Sequence, residues 1–244
     1  MRFRMFRFAS VAAAMAFQSF QPDALAWHDK THLSVAETAG FDLWYNAAAP
    51  DVAKSKSAFS ARESPNHYFN NNDNRKVDAA AVWAQVARYD TPGDAQGHLY
   101  GAIIGAVKDY HTMKAEGKYA RYPLVFCAHY VGDLSMPLHN TVYDDFNKNR
   151  HSANDGVVEG SVRDNMERIK ANMTDVVIKN DTDLAREIAV VAESARILGL
   201  KIRKENRDMT ADEAYLQLGR SASLFRGILV YTQRDPSENG LRPE

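Results

Sequence analysis

From Tyr122 to Leu134 the chain is strongly apolar, yet it carries a histidine and an aspartate in His129-Tyr-Val-Gly-Asp133. A run of this length with no period-two alternation reads as a buried helix. At about 100° per residue, positions four apart differ by about 40° and share one face. One turn of that helix therefore aims an imidazole and a carboxylate at the same point. An uncompensated carboxylate inside an apolar helix is costly, and a bound cation removes that cost directly.

The rest of the sequence is organised as helices joined by polar loops. Residues 33–48 are alanine-rich with apolar positions near helical spacing, and this helix is expected to stop at Pro50. Residues 54–76 read as irregular, because Asn70-Asn71-Asn72-Asp73-Asn74 favours turns. Helices are expected over 77–88, 100–113, 122–134, 155–172 and 183–203, and Thr210-Ala-Asp-Glu213 is a capping box opening a last helix to about 232. No segment alternates long enough for a strand, and there is no glycine-rich phosphate loop. The expectation is a single all-α domain over 27–235, with a polar tail at 236–244.

The first 26 residues form a separate unit. Arg2, Arg4 and Arg7 precede an apolar run from Phe8 to Phe17, and Ala24-Leu25-Ala26 is a small-x-small cleavage site. This pattern is that of a secretory signal peptide, giving a periplasmic or secreted protein that begins at Trp27. The one cysteine, Cys127, rules out an internal disulfide framework and reads as a small buried hydrophobe. Stability then rests on helix packing, with metal ligation as a second staple. A formal net charge of −1 gives no indication of a nucleic-acid-coating protein, and no stable nucleic-acid, membrane or protein partner is implied.

Of the 8 histidines, five have contexts suited to metal binding. His129 and Asp133 share a helix face, and His139 lies beyond Pro137, where the chain can turn back toward it. His151 and Asp155 repeat the His-x3-Asp spacing, while His67 precedes the Asn-rich loop and His32 follows Trp27 by five residues. His28, His98 and His111 have no such partners and read as ordinary packing or surface residues. Imidazole and carboxylate ligands without thiolates suit zinc in a hydrolytic site.

Trp27 after a cleavage site, His67-Tyr-Phe, His129-Tyr-Val-Gly-Asp-Leu-Ser-Met-Pro-Leu-His139 and His151-Ser-Ala-Asn-Asp155 together resemble the zinc-dependent phospholipase C and S1/P1 nuclease superfamily. The resemblance runs from Trp27 to about Asp164. It implies an all-α domain around a cleft holding three zinc ions, with the N-terminal tryptophan ligating through its amino group and carbonyl. On that resemblance Trp27, His32 and Asp133 hold one zinc, and Asp51, His67, His129 and Asp133 a second, with Asp133 bridging. His139, His151 and Asp155 hold the third. Asp51 is preferred to Glu63 because Lys54 follows it by three residues, where the nuclease branch tends to place a phosphate-contacting arginine.

Two close metals can share a water, lower its pKa and hold it in line with phosphorus, and a third neutralises the phosphate oxygens. Asp51 beside that water can orient it or accept its proton. The expected activity is phosphodiester hydrolysis. The spacing Trp27-x4-His32 resembles the nuclease branch, whereas the 151–165 segment and Leu-Ser-Met-Pro-Leu-His-Asn140 resemble the phospholipase C branch, which is the first reading. A single-strand nuclease forming nucleotides is the alternative, with Tyr68, Phe69 and Tyr143 as candidate stacking platforms. A non-catalytic exported zinc-binding protein is the third. The His139/His151/Asp155 set leaves an open position, which favours catalysis over a closed structural site.

Overall fold

The computed structural model describes residues 27–233. The proposed signal peptide and the polar tail lie outside that range, so neither is placed. Ten α-helices follow, α1 (Asp29–Thr38), α2 (Ala49–Lys54), α3 (Ser57–Glu63), α4 (Ala79–Val86), α5 (Leu99–Ala115), α6 (Arg121–Leu134), α7 (Asp145–Asp155), α8 (Met166–Ala171), α9 (Asp181–Lys204) and α10 (Ala211–Gln233). Short 3-10 turns occupy Trp44–Asn46, Ser64–His67, Pro137–Asn140 and Val162–Asn165. The described residues contain no strand, and none of their helices is long and apolar enough to cross a membrane.

Side-chain caps start several of these helices. The Asp78 side chain accepts from Ala81 N, Asp144 from Asn147 N and Asn180 from Asp183 N. The capping box expected at α10 forms, since Glu213 N donates to Thr210 Oγ1 and Thr210 N to Glu213 Oε2. Asn71 closes the Asn-rich loop by exchanging two hydrogen bonds with the Arg75 backbone.

Four expected boundaries differ from the structure. The helix expected over 33–48 stops at Thr38, because Gly40 takes φ +87° and Phe41 N reaches back to Ala36 O. That is a glycine stop signal inside an otherwise helical pattern. Pro50 lies in the first turn of α2, where its missing N–H is harmless, so it opens a helix instead of ending one. The 54–76 stretch is irregular only from Tyr68 onward, because α3 and the turn at Ser64–His67 precede it. The helix expected from 155 to 172 is interrupted, with Asp155 ending α7 and Gly156 capping it.

Helix α6 runs through the centre. Val125, Cys127, Ala128 and Val131 are buried in one apolar cluster with side chains of α5, α9 and α10. Burial pushes the Cys127 thiol pKa up, as fits an inert core residue. A second cluster holds Trp27, Val35, Met136 and Leu138 against α10 residues such as Tyr215 and Leu218. Together they fix α1, α6 and the Pro137–Asn140 turn against one another, and the polar face of α6 lies between them.

Candidate metal centre

His129 and Asp133 share the inward face of α6, and both are fully buried. Five other elements bring donors to that face. Asp133 Oδ2 lies 3.0 Å from His67 Nδ1 and 3.3 Å from His129 Nε2. Its Oδ1 lies 3.4 Å from His32 Nε2 and 3.7 Å from His139 Nδ1. Asp51 Oδ1, from α2, is 3.5 Å from His129 Nε2 and 3.7 Å from His67 Nδ1. His139 and His151 meet Nε2 to Nε2 at 3.1 Å, with Asp155 Oδ2 at 3.5 Å from His151 Nε2. The ligand atoms fall into three compact groups, His32/His129/Asp133, Asp51/His67/His129 and His139/His151/Asp155.

The donors fit metal ions on three independent grounds. Ligands bound at about 2.0–2.1 Å to a tetrahedral ion lie about 3.3 Å apart, the spacing seen here. Several of these buried atoms also lack any hydrogen-bond partner among the described residues, namely His32 Nε2 and both oxygens of Asp133 and of Asp155. Unpaired buried carboxylate oxygens are expensive, and a cation satisfies them. Lastly, the outward ring nitrogens are anchored. His129 Nδ1 donates to Ala47 O at 2.8 Å, His67 Nε2 to Glu63 Oε1 at 3.2 Å and His151 Nδ1 to Asn147 Oδ1 at 2.6 Å. Each bond fixes the tautomer that leaves a lone pair facing inward, the usual arrangement behind a metal-ligating histidine.

The electrostatics of the protein alone show the same demand for positive charge among the carboxylates, which a proton on His129 meets when no ion is bound. Burial lowers the His129 pKa, but Asp133 and Asp51 more than offset it and push it up to about 10. Burial opposes ionisation of Asp133, yet His129 and the other imidazoles hold its pKa well below the usual range. In the third group, burial and then Lys54 bring His151 down to about 4, and burial raises Asp155 well above the ordinary carboxylate value. That group has two neutral imidazoles and a carboxyl that forms no ion pair with a Lys or Arg among the described residues, so a divalent ion would supply the absent charge.

The structure brings together His32, Asp51, His67, His129, Asp133, His139, His151 and Asp155. Trp27 buries its indole in the apolar cluster beside Met136 and Leu138, next to the turn that carries His139. A role for its amino group depends on a cut before it, and residue 26 lies outside the described range. Glu63, the competitor of Asp51, stands behind His67 as its hydrogen-bond acceptor. Lys54 Nζ pairs with Asp51 Oδ1 at 2.6 Å. Above the groups opens a cleft of about 320 Å³ lined by Lys54, His67, Tyr68, His139, Tyr143 and His151. Phe69 is a correction. Its ring packs on Tyr100 at 5.1 Å and it lies off the cleft lining, because neighbouring residues in extended backbone face opposite ways.

The sequence reading missed Asn147 and the supporting roles of Glu63, which it weighed only as a rival ligand, and of His98, which it took for a packing or surface residue. His98 is fully buried and bonded through both ring nitrogens. A shared signal was present, since Glu63, Asp94 and Asn147 each stand four residues before a histidine, at positions 67, 98 and 151. His111 packs edge-on to Tyr110 and Tyr231 and belongs to none of the three donor groups. Comparison with family models and with curated proteins gave no match to this chain.

Proposed function

We propose that this protein is an exported zinc-dependent phosphodiester hydrolase of the phospholipase C and P1 nuclease type. The observation that carries the reading is the clustering of three buried His/Asp groups around Asp133, beneath a cleft in which Lys54 supplies a cation. The donor set contains no thiolate and suits zinc over softer or purely oxygen-loving metals. Zinc ions held by these residues would make water nucleophilic near neutral pH and neutralise charge on a phosphoryl group.

The chain's own residues supply the remaining chemistry. Asp51 Oδ1 lies at the junction of Lys54, His67 and His129, where it can orient a water and take its proton. Lys54 Nζ, whose one ion pair among the described residues is with Asp51, can shift to a phosphate oxygen in the cleft. The near-complete burial of the histidines excludes bulk water and strengthens each of these interactions. The His139/His151/Asp155 group offers three protein ligands and faces the cleft, which favours a catalytic site over zinc storage.

A phospholipid is the first substrate class, on the resemblance of the 134–165 region to the phospholipase C branch. Single-stranded nucleic acid is the second, favoured by the two tyrosines, Tyr68 and Tyr143, that line the cleft. Chelation should abolish hydrolysis of bis-p-nitrophenyl phosphate and zinc should restore it; a zinc-loaded protein inactive on every phosphoester sinks the reading. Side-by-side assay on phosphatidylcholine and on single-stranded DNA and RNA separates the two classes, by release of diacylglycerol or of nucleotides.

A further inference from the structure

A buried polar chain leads from His67 away from the metal groups. Glu63 Oε1 accepts from His67 Nε2 and from the Tyr130 hydroxyl, the latter at 2.7 Å. Asn66 Nδ2 points at Glu63 Oε2 (3.5 Å), Asp90 Oδ1 (3.1 Å) and the Tyr130 oxygen (3.2 Å). All three act as acceptors, since Tyr130 gives its proton to Glu63. The Asn66 amide is therefore fixed, because turning it over would set its oxygen against two carboxylates. Asn66 Oδ1 then faces His98 Nε2 at 2.9 Å and can only accept.

The other nitrogen of His98 lies 2.8 Å from Asp94 Oδ2. Asp94 is ionised, for it also takes Arg88 Nε at 3.0 Å and Gln96 N at 3.1 Å. Both ring nitrogens of His98 must donate, and only the imidazolium does that. The charged groups around the ring are Asp94, Arg88 and Asp90. Burial is the largest influence and leaves its pKa below the ordinary imidazole value even with Asp94 opposing, so the proton is held only by that carboxylate and by the fixed amide.

We propose that His98, held as a buried imidazolium, is a positioning residue that acts through Asn66 and Glu63 to aim His67 into the Asp51/His67/His129 group. A neutral His98 donating to Asp94 would turn a lone pair toward Asn66 Oδ1. The amide would then rotate, Glu63 would lose a donor and gain a repelling oxygen, and the bond fixing His67 would loosen. The inference rests on the metal reading above, but not on hydrolysis.

Two measurements test it. Ring nitrogen NMR of the metal-free protein at mildly acidic pH, with His98 assigned through His98→Gln, is expected to show both His98 nitrogens protonated. Calorimetric titration with zinc alone is expected to show one ion bound about tenfold more weakly in His98→Gln, with the His139 group unchanged as an internal check on folding. Asp94→Asn, at the outer end of the chain, should give the same selective loss with less disturbance of the core. A single neutral tautomer in the wild type, or equal zinc affinities in wild type and both variants, would overturn the proposal. A wild type that takes up no zinc overturns it together with the metal reading. Selective weakening in a protein that hydrolyses nothing supports it and removes only the hydrolase reading.

Discussion

Replacing Gly132 by alanine separates ligand geometry from fold stability. Gly132 lies on α6 between His129 and Asp133, and a Cβ there would come 2.5 Å from His32 Nδ1 and 2.8 Å from its Cε1. Ordinary contact begins at 3.4 Å, so the imidazole must retreat by about 0.9 Å. It has little freedom to do so, because it is stacked on His129 with ring centroids 3.7 Å apart and planes 15° from parallel. Metal–ligand distances tolerate about ±0.2 Å, several times less than the forced shift.

Stability responds differently to the same change. Alanine in a helix interior gains about 1 kcal/mol over glycine, and overpacking costs about 1–3 kcal/mol. The metal-free protein is thus expected to lose only about 0–2 kcal/mol. Zinc affinity at the His32 group should fall by more than about 100-fold, since changes behind a ligand already cost about 10–100-fold. Zinc content after dialysis and calorimetric titration read the affinity, and a denaturant melt in chelator reads the stability. Wild-type zinc content and affinity in Gly132→Ala would refute the placement of His32 as a ligand against α6.

Other expectations follow from the same geometry. Asn147→Leu removes the acceptor behind His151 and should weaken zinc binding at the His139/His151/Asp155 group by about 10–100-fold, leaving the other sites unchanged in the same titration. Glu159 accepts from Lys30 N, Thr31 N and Thr31 Oγ1 at the start of α1; Glu159→Ala should cost about 1–2 kcal/mol in a denaturant melt. In the metal-free protein His151 titrates at about 4 against 6.5 in the unfolded chain, so between those values the unfolded state binds the extra proton. His139, also lowered, adds to this, while Asp155, raised by burial, partly opposes it. Stability in chelator should therefore rise with pH through that window and be lost as pH falls from about 6.5 toward 4; a flat melting temperature there would contradict the burial of these rings.

Much of the site was legible because its key spacings are helical. His129 with Asp133 and His151 with Asp155 each sit one turn apart, and a turn of helix is a local property that survives any tertiary arrangement. The apolar run around the first pair announced that its carboxylate would be buried, and Asp133 is fully buried. Boundaries were less legible where a single residue overrides the pattern, as at Gly40, or serves either end of a helix, as at Pro50. Phe69 was grouped with Tyr68 by adjacency, and adjacency does not say which face a side chain takes.

By itself, then, the sequence determined that the chain is helical, that α6 carries a histidine and a carboxylate inward, and that nitrogen and oxygen donors without thiolate are available. Only the tertiary structure decided that six separate elements meet at Asp133, that Asp51 stands among the imidazoles while Glu63 stands behind one, and that His98 belongs to the same network. The reason is physical. Hydrogen-bonded helix turns are set by neighbours along the chain, whereas contacts such as Asp51 with His129, or Asn66 with His98, are set by how whole helices pack. No local preference encodes a distance of 3 to 4 Å between residues tens of positions apart.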